Sequence, residues 1–81
     1  MKYQIVFFKW TQGEGISYSQ IAEIIEAKND GSARKAFKEF SDDYFSALGA
    51  DFDGSRLELL NDRGNVIERK YYKYKSTKKR F

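Results

Sequence analysis

The chain has 81 residues, with 15 Lys and Arg against 12 Asp and Glu, a formal net charge of +3, and no His, Cys or Pro. The missing cysteine and histidine exclude a disulfide framework, a thiolate zinc site, a cysteine nucleophile and histidine acid–base catalysis. The length predicts one domain near the lower limit for a self-sufficient core, and no apolar run reaches the roughly 18 residues of a membrane helix. We therefore expect a cytoplasmic, non-enzymatic domain that has no catalytic residues, binds no metal or cofactor and does not contact a membrane.

The N-terminal segment, residues 2–10, is predicted to be a β-strand with apolar side chains on both faces. Such a strand is either central and covered on both sides, or it carries an exposed aromatic face. A turn follows at residues 11–15, because two glycines in this stretch adopt positive φ at little cost.

Residues 17–28 allow two interpretations. As a helix, the segment would begin at Ser17, and Gln20 would complete a capping box. As a strand, it would pair back onto residues 2–10 as a hairpin, which is the shortest way to give the first strand a neighbour. We favour the strand, in which Ile21, Ile25 and Ala27 would share one face, with Glu23 as the odd residue between them.

Part of the same segment matches a known motif. Residues 17–25 read Ser-Tyr-Ser-Gln-Ile-Ala-Glu-Ile-Ile, and residues 31–36 read Gly-Ser-Ala-Arg-Lys-Ala. This run resembles the opening of helix-turn-helix DNA-binding segments, which often read Ser-Tyr-x-x-Ile-Ala-Glu-Ile, over about a quarter of the chain. The resemblance implies two helices and DNA binding, with residues 57–72 as a wing, although Glu26 stands where such motifs usually have the turn glycine.

Residues 32–48 are predicted to form the long helix of the chain. Ser32 is the expected N-cap, and Gly49 is expected to end the helix in a left-handed conformation. The apolar residues recur at steps of three and four and define one face. They are Ala33, Ala36, Phe37, Phe40, Tyr44, Ala47 and Leu48.

Two further strands, 55–61 and 65–74, are predicted to form a second hairpin, with Gly64 left-handed in the turn between them. The expected register pairs Leu59 with Ile67 on the core face, and Tyr71 follows on that face. It also places Glu58 opposite Glu68 on the other face, a mildly unfavourable pairing that marks this face as solvated.

These elements predict an α+β fold in the order β-β-α-β-β, with the alternative β-α-α-β-β if residues 18–28 are helical. The helix is expected to cover one face of a small antiparallel sheet through Phe37, Phe40, Tyr44 and Leu48, which leaves the other face uncovered. Residues 1–75 would form the domain, and residues 76–81 a basic tail.

The charge is divided unevenly along the chain. Eight basic and twelve acidic residues precede position 69, which gives −4, whereas residues 69–81 contain seven basic and no acidic residues, which gives +7. Cations interleaved with aromatic rings suit a nucleic acid, because cations neutralise phosphates and rings stack on bases. The predicted nucleic-acid-binding residues are Arg69, Lys70, Tyr72, Lys73, Tyr74, Lys75, Lys78, Lys79 and Arg80, together with Trp10.

A second candidate is an anion site at the predicted start of the helix, formed by Ser32, Arg34 and Lys35. Free N–H groups at a helix N-terminus bind anions, and the two cations would add charge. Cations there oppose the helix dipole, so i,i+4 pairs such as Lys38 with Asp42 are the structural alternative.

The composition and these candidates favour a small nucleic-acid-binding module that is not an enzyme. The alternative is a protein-interaction module, such as a small inhibitor or accessory protein of phage or mobile-element type. Its partner would present an acidic surface to the same cations, or would contact the acidic stretches at 42–43 and 51–53. The sequence leaves the oligomeric state open.

Overall fold

A computed structural model describes residues 1–75, which form four β-strands and one long α-helix in the order β-β-α-β-β. The predicted α+β class is confirmed, and the alternative with a helix at 18–28 is wrong. The elements are β1 (Lys2–Thr11), β2 (Gly15–Glu26), α1 (Asp30–Ser46), a 3₁₀ turn (Ala50–Phe52), β3 (Arg56–Leu60) and β4 (Val66–Tyr71).

The strands form one antiparallel sheet in the order β2-β1-β3-β4. Each hairpin contributes an inner and an outer strand, and the two hairpins meet where β1 pairs with β3, with Phe7 opposite Leu57. Because residues 17–25 lie in β2, the helix-turn-helix expectation is wrong. The strand β1 is central in the sheet but is covered by α1 on one face only, so Phe8 and Trp10 lie on an uncovered aromatic face.

The helix α1 begins two residues earlier than expected. Asn29 caps it, since the Asn29 side-chain oxygen accepts a hydrogen bond of 2.8 Å from the backbone N–H of Ser32. The predicted cap at Ser32 is therefore wrong, and so is the left-handed end at Gly49, because α1 ends at Ser46 and Gly49 has a φ of −106°. Within residues 1–75, no helix is both long and apolar enough to cross a membrane.

The core lies between α1 and one face of the sheet, as predicted. Phe37 is buried there, and Phe40, Tyr44 and Leu48 pack around it. The Tyr3 hydroxyl at the start of β1 donates a 2.8 Å hydrogen bond to Asp30 at the start of α1. Burial and this bond raise the pKa of Tyr3. The buried apolar residues of this core are Tyr3, Ile5, Phe7, Ala33, Phe37, Leu57 and Leu59.

The second hairpin turns as expected but pairs differently. Gly64 has a φ of +84°, which confirms the left-handed turn position. A bulge at Ile67 then advances the register by one residue, so Glu58 lies opposite Arg69 instead of Glu68. The bulge replaces a repulsive pair by an attractive one and lets Ile67 pack against the core.

Two further bulges lie in β2, at Ser17 and Ala22. The bulge at Ala22 turns this residue and Ile25 toward the core, whereas Ile21 pairs with Val6 on the uncovered face and is exposed. The expectation that Ile21 and Ile25 share one face is therefore wrong.

Candidate nucleic-acid interface on the two sides of β4

The predicted cationic segment begins in β4 and continues beyond it. Arg69 and Lys70 are β4 residues, and Lys73 and Lys75 follow in an exposed stretch. The backbone N–H of Tyr74 donates a 2.8 Å hydrogen bond to the Asp53 carboxylate, which holds this stretch against the loop before β3. The predicted contacts Lys78, Lys79 and Arg80 lie outside the described residues.

Tyr72 is a core residue. Its side chain is 8% exposed, its ring centroid lies 5.2 Å from that of Phe45, and its hydroxyl donates a 2.8 Å hydrogen bond to the Leu48 carbonyl. Burial also raises its pKa. The ring cannot reach a base, so the stacking role predicted for Tyr72 is wrong.

A groove of about 470 Å³ separates α1 from β4 on the helix side of the sheet. It brings together cations that lie far apart in the sequence, three from the helix and two from the strand, around one acidic residue. Its lining consists of Arg34, Lys35, Phe37, Lys38, Glu68, Arg69 and Lys70. We call this feature the basic groove.

Two carboxylates form ion pairs that join side chains of α1 to side chains of β4 across the basic groove. Arg34 Nε lies 3.2 Å from Glu68 Oε1. Asp42 accepts a 2.7 Å hydrogen bond from Lys70 and lies 3.5 Å from Lys38, which confirms the predicted i,i+4 pair. Four cations thus face two acids, since the Arg69 Nε contacts Glu58 instead.

The Lys70 hydrogen bond and the charge of Lys38 hold the pKa of Asp42 below its usual value of 3.8. The stabilisation from the ionised carboxylate is therefore complete above the unfolded pKa and is lost as the pH falls through the lower folded pKa. At neutral pH, Asp42 neutralises part of the charge of both lysines.

The residues predicted for an anion site are divided between two places. Arg34 and Lys35 line the basic groove, and among residues 1–75 Lys35 makes no ion pair. Ser32 lies in a separate depression beside Met1 and Lys28, and its backbone N–H is bonded to Asn29. The structure therefore joins Arg34 and Lys35 to β4 instead of to the helix N-terminus.

The opposite side of the sheet faces away from α1, and we call it the open face. One row crosses β1, β3 and β4 through Phe8, Arg56 and Tyr71. The Arg56 guanidinium carbon lies 4.5 Å from the Phe8 ring centroid and 6.0 Å from that of Tyr71. Arg56 thus covers Phe8, whereas Tyr71 remains 59% exposed.

The next row of the open face holds a buried acid. Glu58 is only 5% exposed although no helix covers it. Its Oε2 lies 2.6 Å from the Nε of Arg56 and 3.2 Å from the Nε of Arg69. The carboxylate therefore orients both arginines on this side of the sheet.

Trp10 lies at the end of β1 beside the loop that precedes β3. Its backbone N–H donates a 3.0 Å hydrogen bond to Ser55 Oγ, and its ring packs on Gly54. A Cβ at Gly54 would lie 3.0 Å from Trp10 Cε3, and the φ of +90° also favours glycine. The ring is 37% exposed, so this predicted stacking residue can reach a ligand.

The other half of the open face is mainly aliphatic, with the exposed Gln4 between Ile24 and Leu60. Ile21, Ile24 and Val66 are exposed there, and Val6 and Leu60 are half-buried between them. The open face therefore divides into an aromatic and basic half, toward Trp10 and Tyr71, and an aliphatic half.

The sequence interpretation missed three residues of these surfaces, namely Tyr71, Arg56 and Lys38. Tyr71 was assigned to the core and Arg56 to a generally solvated face. One feature of the sequence argued against the expected hairpin register. That register placed Glu58 opposite Glu68, whereas an arginine followed at the next position.

The comparisons with known proteins identify no relative of this chain. No protein-family model, no curated protein and no solved structure matches it. The geometry of β4 and its two flanking surfaces is therefore the basis for a functional conclusion.

Proposed function

We propose that the protein is a small nucleic-acid-binding module that contacts the phosphate backbone along β4. The observation that carries this proposal is the basic groove, where Arg34, Lys35 and Lys38 of α1 meet Lys70 of β4. Lys73 and Lys75 extend the positive surface beyond the strand. Phosphates bound there would release condensed counterions, which favours binding at low salt.

The existing ion pairs of the basic groove are compatible with phosphate binding. All of them join side chains with substantial solvent exposure, and exposed pairs contribute little net stability. A phosphate can therefore replace Asp42 as the partner of Lys70 or Lys38 at small energetic cost. Lys35, which has no acidic partner within residues 1–75, can bind a phosphate directly.

Lys35→Gln is expected to weaken binding roughly five-fold at low salt and to reduce the slope of log affinity against log salt by about one, the loss of one phosphate contact. The measurement is fluorescence anisotropy with a labelled oligonucleotide at several salt concentrations. Lys28→Gln is the matched control, because it removes the same charge outside the basic groove. Equal losses for the two variants would contradict a localised phosphate site.

Asp42→Asn is expected to strengthen binding roughly five-fold at low salt, because it frees Lys70 and Lys38 from their shared carboxylate. Asp43→Asn changes the net charge equally, but among residues 1–75 its carboxylate pairs with no cation. It should therefore have a smaller effect in the same anisotropy titration. An unchanged affinity for Asp42→Asn would argue against the basic groove as the binding site.

A second candidate function is a protein-interaction module, which the aliphatic half of the open face favours. Exposed Ile21, Ile24 and Val66 form an apolar surface that a protein partner would bury. Two results together would favour this function. The protein would bind no oligonucleotide at low salt, and it would retain a stoichiometric protein partner after nuclease treatment but lose that partner in Ile24→Ser.

A further inference from the structure

The aromatic and basic half of the open face adds information about the ligand. The proposed phosphate contacts lie on the helix side of β4, whereas Tyr71 and Arg69 lie on the other side of the same strand, beside Arg56 of β3. A strand of nucleic acid that follows β4 can therefore contact both surfaces. On the open face, such a strand meets the exposed ring of Tyr71.

From this juxtaposition we infer that the ligand is single-stranded nucleic acid, with bases stacked on Tyr71 and Trp10. This inference rests on the proposed function. Among residues 1–75, these two are the exposed aromatic side chains on the strands of this half, at 59% and 37% exposure. Stacking requires a free base face, which an unpaired strand offers and a duplex conceals.

The charge of this half suits the same ligand. The rows that contain Phe8 and Glu58 include Arg56 and Arg69 and a single acid, Glu58 itself. The two arginines enclose that carboxylate, so little of its surface is accessible to a ligand. An approaching strand thus meets cations beside rings, the combination that binds single strands without sequence preference. An acidic peptide would use the cations but not the rings.

The spacing of the rings indicates two separate base sites. Tyr71 and Trp10 lie on β4 and β1, two strands apart and one pleat offset, so their Cα atoms are about 12 Å apart by sheet geometry. Bases stacked on each other are only about 3.4 Å apart. The two rings would therefore hold bases that are not neighbours, with Arg56 between them.

The test uses the full chain and three probes of equal length, namely oligodeoxyuridylate, oligouridylate and a duplex. Trp10 is the one tryptophan of the chain, so its fluorescence reports directly on stacking. We expect both single strands to quench it and to bind more tightly than the duplex. A preference between the two single strands would distinguish DNA from RNA.

Tyr71→Leu is expected to lower single-strand affinity about ten-fold, in line with the loss of one stacked base, and to leave duplex affinity unchanged. Tyr18→Leu is the matched control. It removes an exposed tyrosine from the helix side of the sheet, where the Tyr18 and Phe7 ring centroids are 6.3 Å apart. Its affinity should equal that of the wild type.

The possible results separate this inference from the proposed function. One result would overturn the preference for single strands and leave phosphate binding intact. In it, single strands and duplex bind equally well, Tyr71→Leu does not change the affinity, and Lys35→Gln still lowers it. No binding of any probe at low salt would overturn both.

Discussion

Phe7→Ala is expected to lower the free energy of unfolding by about 3–5 kcal/mol, the usual effect of removing a buried phenylalanine. The Phe7 side chain is 1% exposed, and its ring centroid lies 5.3 Å from that of Tyr44 and 6.0 Å from that of Phe52. Small domains commonly have only about 5–15 kcal/mol of stability. Urea unfolding followed by circular dichroism should show a large decrease in the midpoint.

Phe8→Ala provides the control, because it removes the same ring from the next residue on the opposite side of the sheet. Phe8 is half-buried and packs mainly under Arg56, so its loss should cost about 1 kcal/mol. Similar losses for the two variants would show that the open face is covered in solution, and would contradict a single covering layer.

Glu58→Gln is expected to lower the free energy of unfolding by about 1–3 kcal/mol, because it removes the charge that pairs with two arginines at a nearly buried position. The neutral amide keeps an acceptor oxygen but no longer attracts both guanidinium groups. Equilibrium unfolding in urea measures the change. We expect the slope with denaturant to remain unchanged, because the folded state stays compact.

Glu68→Gln removes the same charge from a position that is 45% exposed and that, among residues 1–75, pairs only with Arg34. The expected loss is about 0.5 kcal/mol or less. Equally mild losses for Glu58→Gln and Glu68→Gln would contradict a buried Glu58 that pairs with both arginines.

The element order could be predicted from local patterns. Apolar steps of three and four identified α1, and the glycines at 13, 15 and 64 marked the hairpin turns. The two ends of the helix were predicted less accurately than the presence of the helix. Asn29 and Ser32 are both good caps, and only the position of the chain after β2 decides between them.

The faces of the outer strands could not be predicted, because the expected registers assumed an uninterrupted apolar alternation and the bulges interrupt it. One extra residue at Ile67 turns every later side chain of β4 to the opposite face. Tyr71, expected in the core, is therefore exposed, and Tyr72, expected to stack, is buried. The same bulge explains why the residues of the candidate site differ from those predicted.

The basic groove could not be predicted from the sequence, because it forms only when the tertiary structure brings distant residues together. The sequence identified Arg34 and Lys35 as one cationic group and Lys70 as part of another, separated by more than thirty residues. Their meeting follows from the packing of α1 beside β4, which no local pattern encodes.

All three bulges lie in the outer strands, two in β2 and one in β4, whereas the inner strands β1 and β3 each provide the regular side of these pairings. An outer strand presents unpaired N–H and C=O groups that can recruit another copy of the chain and begin a fibril. Irregular edges fit such a copy poorly, and the cations of β4 repel one another. The same strand that we propose as a nucleic-acid contact therefore also protects the protein against aggregation.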